Sequence, residues 1–203
     1  MAAKGEEITV LNPNARHNLG VAIFNRCKIR FEGSVGYFAA SMLDGPEVVI
    51  EGNAGWALGE NMMAGKISVS KNAGASVGST MRGGELFVGG DAGARAGISM
   101  KGGALIVAGN SGFLTGFMMQ KGRIIICGDA GEALGDSMYD GVIYVGGEVE
   151  ELGIDCVPGE MTELDVRYLT SKLDLYGIKT PNGVEKMNKY VSGKMLWNYD
   201  KLE

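Results

Sequence analysis

His17 is the only histidine in this chain of 203 residues, so neither an imidazole relay nor a multi-histidine metal site is available. It follows the polar run Asn12-Pro13-Asn14-Ala15-Arg16, where a surface or capping role fits better than that of a base. Gly74-Ala75-Ser76-Val77-Gly78 has GxSxG spacing, but both of its glycines belong to the columns of the repeat described below, so no serine is read as a nucleophile elbow. Residues 59–66 end in Gly65-Lys66 and invite a phosphate-loop reading. The spacer from Gly59 holds five residues instead of four, however, and Ile67 stands where a metal-binding Ser or Thr is needed. Asp91, Asn110 and Asp129 recur at one interval and admit a calcium strip of the kind found in some β-helical proteins. A ladder of turn residues explains them more simply, because Asn at most copies brings no charge. Methionines at a fixed spacing can hold soft metals, but one per repeat reads as core packing. Cys27, Cys127 and Cys156 are odd in number and lack CxxC spacing, which points to structural thiols and a reducing cytoplasm.

The arrangement that must position these residues is a 19-residue unit, repeated without insertion from Gly33 to Glu150. Gly36, Gly55, Gly74, Gly93, Gly112 and Gly131 lead the copies. Four residues later stand Ala40, Gly59, Gly78, Gly97, Gly116 and Gly135, and seven residues later Leu43, Met62, Met81, Met100, Met119 and Met138. A further column, Pro46, Gly65, Gly84, Gly103, Gly122 and Gly141, marks a second turn. A period of this length means one supersecondary unit stacked on its neighbours.

The columns after the second turn decide which unit it is. Val48, Ile67, Leu86, Leu105, Ile124 and Ile143 share one, and Ile50, Val69, Val88, Val107, Ile126 and Val145 share the column two residues on. That alternation is a strand with one buried face. The preceding column, Glu47, Lys66, Glu85, Ala104, Arg123 and Val142, is mostly polar and points outward. Like strands on successive coils pair in parallel, and units this short leave no room for helical crossovers. The expected fold is therefore all-β, a parallel β-helix of about six coils with the methionines inside. Asn53, Asn72, Asp91, Asn110 and Asp129, stacked at about 4.8 Å, can also bond coil to coil.

Three regions follow. Residues 1–32 are expected to cap the first coil, with short strands at 21–24 and 27–31; residues 33–158 form the β-helix; residues 159–203 form a helical tail. In the tail, Thr162 and Asp165 have capping-box spacing, Leu169, Leu173 and Tyr176 share a helical face, and Gly177 ends the helix. A second helix is expected from Thr180-Pro181, with Val184, Met187 and Val191 on its apolar face. The net charge of −5 provides no footprint for nucleic acid. The polar start lacks a signal-peptide core, and no apolar run is long enough to span a membrane.

The repeated G-xxx-G-xx-M-xx-G resembles the GXGXG domain at the C-terminus of the glutamate synthase large subunit. Residues 128–137 (GDAGEALGDS), 147–156 (GEVEELGIDC) and 190–199 (YVSGKMLWNY), with the segment 12–20, resemble its stand-alone form. That form occurs in split glutamate synthases and in N-methylglutamate synthase. One component of formylmethanofuran dehydrogenase carries a very similar repeat. The resemblance implies a right-handed β-helix with no catalytic residue and no cofactor of its own. It would hold a class II glutamine amidotransferase-like subunit and a flavin-binding synthase subunit in register, with FMN and any iron–sulfur cluster on those partners. The competing readings are the formylmethanofuran dehydrogenase component and an independent β-helical enzyme acting on polysaccharide. The last would need clustered acids that the outward columns do not supply.

Two surfaces are candidates for partner contact. The outward column between the two buried ones contains Phe87, Ile106, Ile125 and Tyr144, an apolar stripe that something must cover. The cover is either the chain's own tail, which is favoured, or the flavin-carrying partner. Trp56 and Phe113, beside two of the lead glycines, have no packing reason to be there and suit a binding hot spot. The core assignment is tested by Met100→Asp, which buries an unpaired carboxylate and is expected to lower stability by several kcal/mol in a denaturant titration.

Overall fold

The computed structural model describes residues 5–180 and 182–196. Eight parallel strands follow one another in chain order: β1 (Glu7–Leu11), β2 (Lys28–Glu32), β3 (Asp44–Ile50), β4 (Ala64–Val69), β5 (Glu85–Val88), β6 (Lys101–Val107), β7 (Lys121–Ile126) and β8 (Val142–Val145). They make a β-solenoid of about seven turns. From Lys28↔Glu47 onward the register advances by 19 at each step, through Val48↔Ile67 and Ile106↔Ile125 to Ile126↔Val145. The first step, Glu7↔Lys28, is 21 residues. The segment expected to be an irregular cap is therefore a full coil with two extra residues, which makes seven coils instead of six. Within it 28–32 is a strand, as expected, whereas 21–24 is not.

Both inward columns are buried, and so are Met62, Met81, Met100, Met119 and Met138. The methionines interlock with the second-turn glycines of the next coil. A Cβ on Gly84, Gly103, Gly122 or Gly141 would meet the methyl of Met62, Met81, Met100 or Met119 at 2.6–3.0 Å. The lead glycines have a different reason. A Cβ on Gly55, Gly74 or Gly93 would meet the backbone of the preceding coil at 2.7–2.9 Å, so that turn can stack only without side chains.

The first turn bonds each coil in both directions. The amide of Ser76 donates to Ala94 O of the next coil (2.8 Å), and the amide of Gly78 donates to Leu58 O of the preceding one (2.8 Å). Reversing the amide direction uses left-handed backbone at alternate residues: Ser76 (φ 61°), Gly78 (66°) and Thr80 (53°), then Arg95 (59°), Gly97 (67°) and Ser99 (51°). Glycine marks only the middle position of each set.

The end of the stack differs from expectation. The capping box is present, and α1 (Glu163–Leu175) follows it with Leu169 and Leu173 buried. The second helix is not formed. Val184–Lys186 is a single 3₁₀ turn, and Asn188–Ser192 is a strand, β10, antiparallel to both β8 and β9 (Cys156–Gly159). Pro181, the expected start of that helix, lies outside the described residues, as do Trp197 to Tyr199. The last parallel strand would otherwise present unpaired backbone groups. Satisfying them outweighs the weak helical pattern of a short segment.

Backbone strain at an exposed left-handed residue predicts opposite effects for two neighbours. Arg95→Gly should raise stability by about 1 kcal/mol, and Gly97→Ala should lower it by about 1–2 kcal/mol or more, both read from denaturant midpoints.

Candidate functional site

The apolar stripe is covered by the tail. Ile106, Ile125 and Tyr144 are buried in a second cluster with Leu169, Leu173 and Met187, and Phe87 packs at its edge. The Phe87 ring stacks on Tyr176 at 4.0 Å between centroids. Phe87, Ile106, Ile125 and Tyr144 are thus corrected as partner contacts: the chain's own helix occupies the surface that a partner would need. Val184 and Met187 join this cluster from the 3₁₀ turn and its end, not from a helix face.

Two ionic clusters fasten the tail. The Tyr144 hydroxyl donates to Asp165 Oδ1 (2.6 Å), and Asp165 Oδ2 accepts from Lys189 Nζ (2.8 Å), the Thr162 amide (2.9 Å) and the Thr162 hydroxyl (2.6 Å). Burial opposes the Asp165 charge, but these donors outweigh it and hold the carboxyl well below its ordinary range. Glu85 accepts from Lys172 and from the Tyr176 hydroxyl (2.5 Å), with Lys66 Nζ at 3.9 Å. Burial again pushes the carboxyl up, and Lys172, Tyr176 and Lys66 together bring it below its ordinary value.

Beside the second cluster runs a groove of about 700 Å3. Its floor is backbone, from the second-turn glycines Gly65, Gly84, Gly103, Gly122 and Gly141. Lys66, Lys121, Arg123 and Lys172 line it against Glu85 and Asp140, and Tyr168 of α1 forms a wall. The Arg123 guanidinium lies 4.6 Å from the Tyr168 ring centre. Repeat columns account for the second-turn glycines, so this groove had no separate signal in the sequence; the cations come from two columns, Lys66 and Arg123 in one and Lys121 in another, and from Lys172 of α1.

Trp56 and Phe113 remain exposed. Trp56 is not isolated: Tyr37 stacks on it at 5.4 Å, His17 stacks on Tyr37 at 4.4 Å, and His17 Nδ1 accepts from the Tyr37 amide (2.8 Å). The lone histidine is a turn acceptor at the end of an exposed aromatic ladder. Beyond Trp56 the column continues as Ala75 and Ala94 before reaching Phe113. The two aromatics stand three coil steps apart, about 14 Å, with small residues between them.

The Asx column is a coil-to-coil ladder. Oδ1 of Asn53, Asn72, Asp91, Asn110 and Asp129 each accepts from the amide 19 residues on, at 2.8–3.1 Å. Asp91 and Asp129 are committed to backbone amides, and no group of three or more acidic, His or Cys side chains among the described residues is arranged to hold a metal. All three cysteines are buried and free, and burial pushes the Cys127 thiol up to about 12. No described helix is long and apolar enough to cross a membrane.

Depressed carboxyl pKa values stabilise the tail above their ordinary values, 3.8 for Asp165 and 4.5 for Glu85, and that stabilisation is lost as pH falls through the folded values. Amide exchange in α1 should therefore be constant from about pH 8 to about pH 5 after correction for intrinsic rates, then rise relative to the coils below about pH 4. Asp165→Asn should remove much of that acid dependence.

Comparison with known proteins agrees with this architecture. No curated protein matches. A chain in the X-ray crystal structure of the formyltransferase/hydrolase complex (FhcABCD) from Methylorubrum extorquens, in complex with methylofuran, has a similar fold, with a TM-score of 0.58 and 24% identity over 80% of this chain and 72% of that one. Residues 14–192 match the GXGXG motif family, a span that begins after β1, within the first coil, and takes in every 19-residue repeat, α1 and β10. The chain belongs to the GXGXG motif family.

Proposed function

We propose that the chain is a non-catalytic structural subunit of a cytoplasmic glutamate-synthase-type complex, either a split glutamate synthase or N-methylglutamate synthase. It holds a class II glutamine amidotransferase-like subunit and an FMN-binding synthase subunit in register. Flavin and any iron–sulfur cluster belong to those partners. The observation that carries this reading is the extent of the family match, which spans residues 14–192, from within the first coil to the closing strand. The chain carries its own tail, which covers the apolar stripe; this suits a separate subunit. The exposed ladder ending in Trp56, with Phe113 beyond it, offers partners rigid aromatic anchors.

A second reading has one observation in its favour. Fold similarity to a chain of the FhcABCD complex supports a component of a formylmethanofuran-related assembly. Purifying the tagged chain from its native host separates the two. The first reading expects an amidotransferase-like subunit and a flavoprotein to co-purify, with flavin absorbance in the complex and none in the free chain. Formyltransferase or hydrolase subunits without flavin would establish the second. Trp56→Ser with Phe113→Ser should weaken assembly at least about tenfold with no loss of thermal stability, since each hot-spot aromatic contributes about 2 kcal/mol or more. Ile106→Lys should instead loosen α1, because its charge enters the cluster under the tail.

A further inference from the structure

The cationic groove is a charged surface that the fold uses only in part. Of its four cations, Lys172 and Lys66 share Glu85. Lys121 and Arg123 are exposed, and among the described residues neither forms an ion pair. In a chain of net charge −5, two uncompensated cations side by side over a backbone floor form a local site for negative charge.

We infer that this groove docks an extended acidic polypeptide segment from a partner subunit. The inference rests on the multi-subunit reading above, because it requires a partner. Length argues for a chain and against a single anion. From Gly65 to Gly141 the floor spans four coil steps, about 19 Å, which five or six residues of extended polypeptide at about 3.4 Å each would fill. The floor has no side chains, so the segment's backbone can lie close to it while its carboxylates reach the cations on either side. The site is preformed. Tyr168 holds the Arg123 guanidinium, and Glu85 holds Lys172 at the wall, so little ordering is needed on binding. Exposed charges of this kind act through long-range attraction, which makes the contact sensitive to salt.

The test uses the full chain and a fluorescein-labelled peptide of alternating glutamate and glycine, followed by anisotropy. Binding should weaken as salt is raised, fall at least tenfold in Lys121→Ala with Arg123→Ala, and be unchanged in Trp56→Ser with Phe113→Ser. The matching lysine–glycine peptide should not bind. Lys121→Gln with Arg123→Gln guards against a packing effect, and Lys121→Gln alone, which leaves the Arg123–Tyr168 contact in place, should keep the wild-type thermal midpoint and still weaken binding. Peptide binding that survives both double variants overturns the inference. So does polyphosphate that binds the groove while the peptide does not, which would make it a general polyanion site. The multi-subunit reading is tested separately by assembly of the wild-type chain. If the complex forms and the groove variants neither weaken it nor lose peptide binding, the inference fails alone; if no complex forms at all, the multi-subunit reading fails.

Discussion

Everything in this molecule depends on how closely one coil's backbone approaches the next. Strand spacing is set by main-chain hydrogen bonds at about 4.8 Å, and both turns must keep that spacing without helices to bridge them. The lead turn keeps it with glycines that rest on the preceding backbone. The second turn keeps it with glycines that leave room for a methionine methyl from the coil before. The Asx ladder then ties each coil to the next outside the strands. An insertion in any copy would break all three contacts at once. The two extra residues are found only in the first coil, where neighbours lie on one side alone.

A stack built this way has two weaknesses, its ends and any apolar column on the outside. The chain treats the last end and the stripe with one segment. β10 pairs antiparallel onto β8 and β9 pairs antiparallel onto β10, while α1 lies over Ile106, Ile125 and Tyr144. The fastening is polar as well as apolar. Asp165 and Glu85 each gather several donors, from the tail and from the coils, so breaking either cluster leaves buried charge without its partners. The same helix supplies Tyr168 and Lys172 to the groove. The tail thus closes one surface and shapes another.

The period, both buried columns, the methionines inside and the α1 capping box were legible in the sequence, because each repeats or has a local rule. Other features were hidden for physical reasons. Arg95 and Ser76 adopt left-handed backbone that their side chains do not advertise, since the hydrogen bonds of the stack impose it. Residues 188–192 carry a weak helical pattern and become a strand because β8 offers them unpaired backbone groups. Tyr37 stands 19 residues before Trp56 in the same column, whereas His17 joins the ladder only after the longer first coil is placed, a step that the 19-residue period does not foretell. The groove gathers Lys66, Lys121, Arg123 and Lys172 from distant positions, and only the stacked coils and docked helix bring them together.

The central claim is that the tail belongs to the rod, so that partners meet other surfaces. Hydrogen exchange of the isolated chain and of the assembled complex, compared peptide by peptide, tests it directly. The account predicts that α1 and the strand segments holding Ile106, Ile125 and Tyr144 are already protected in the isolated chain. On assembly, new protection should appear at the turns bearing Trp56 and Phe113 and along the groove. An α1 that exchanges freely in the isolated chain and becomes protected only in the complex would contradict the account, because the stripe would then be the partner's surface.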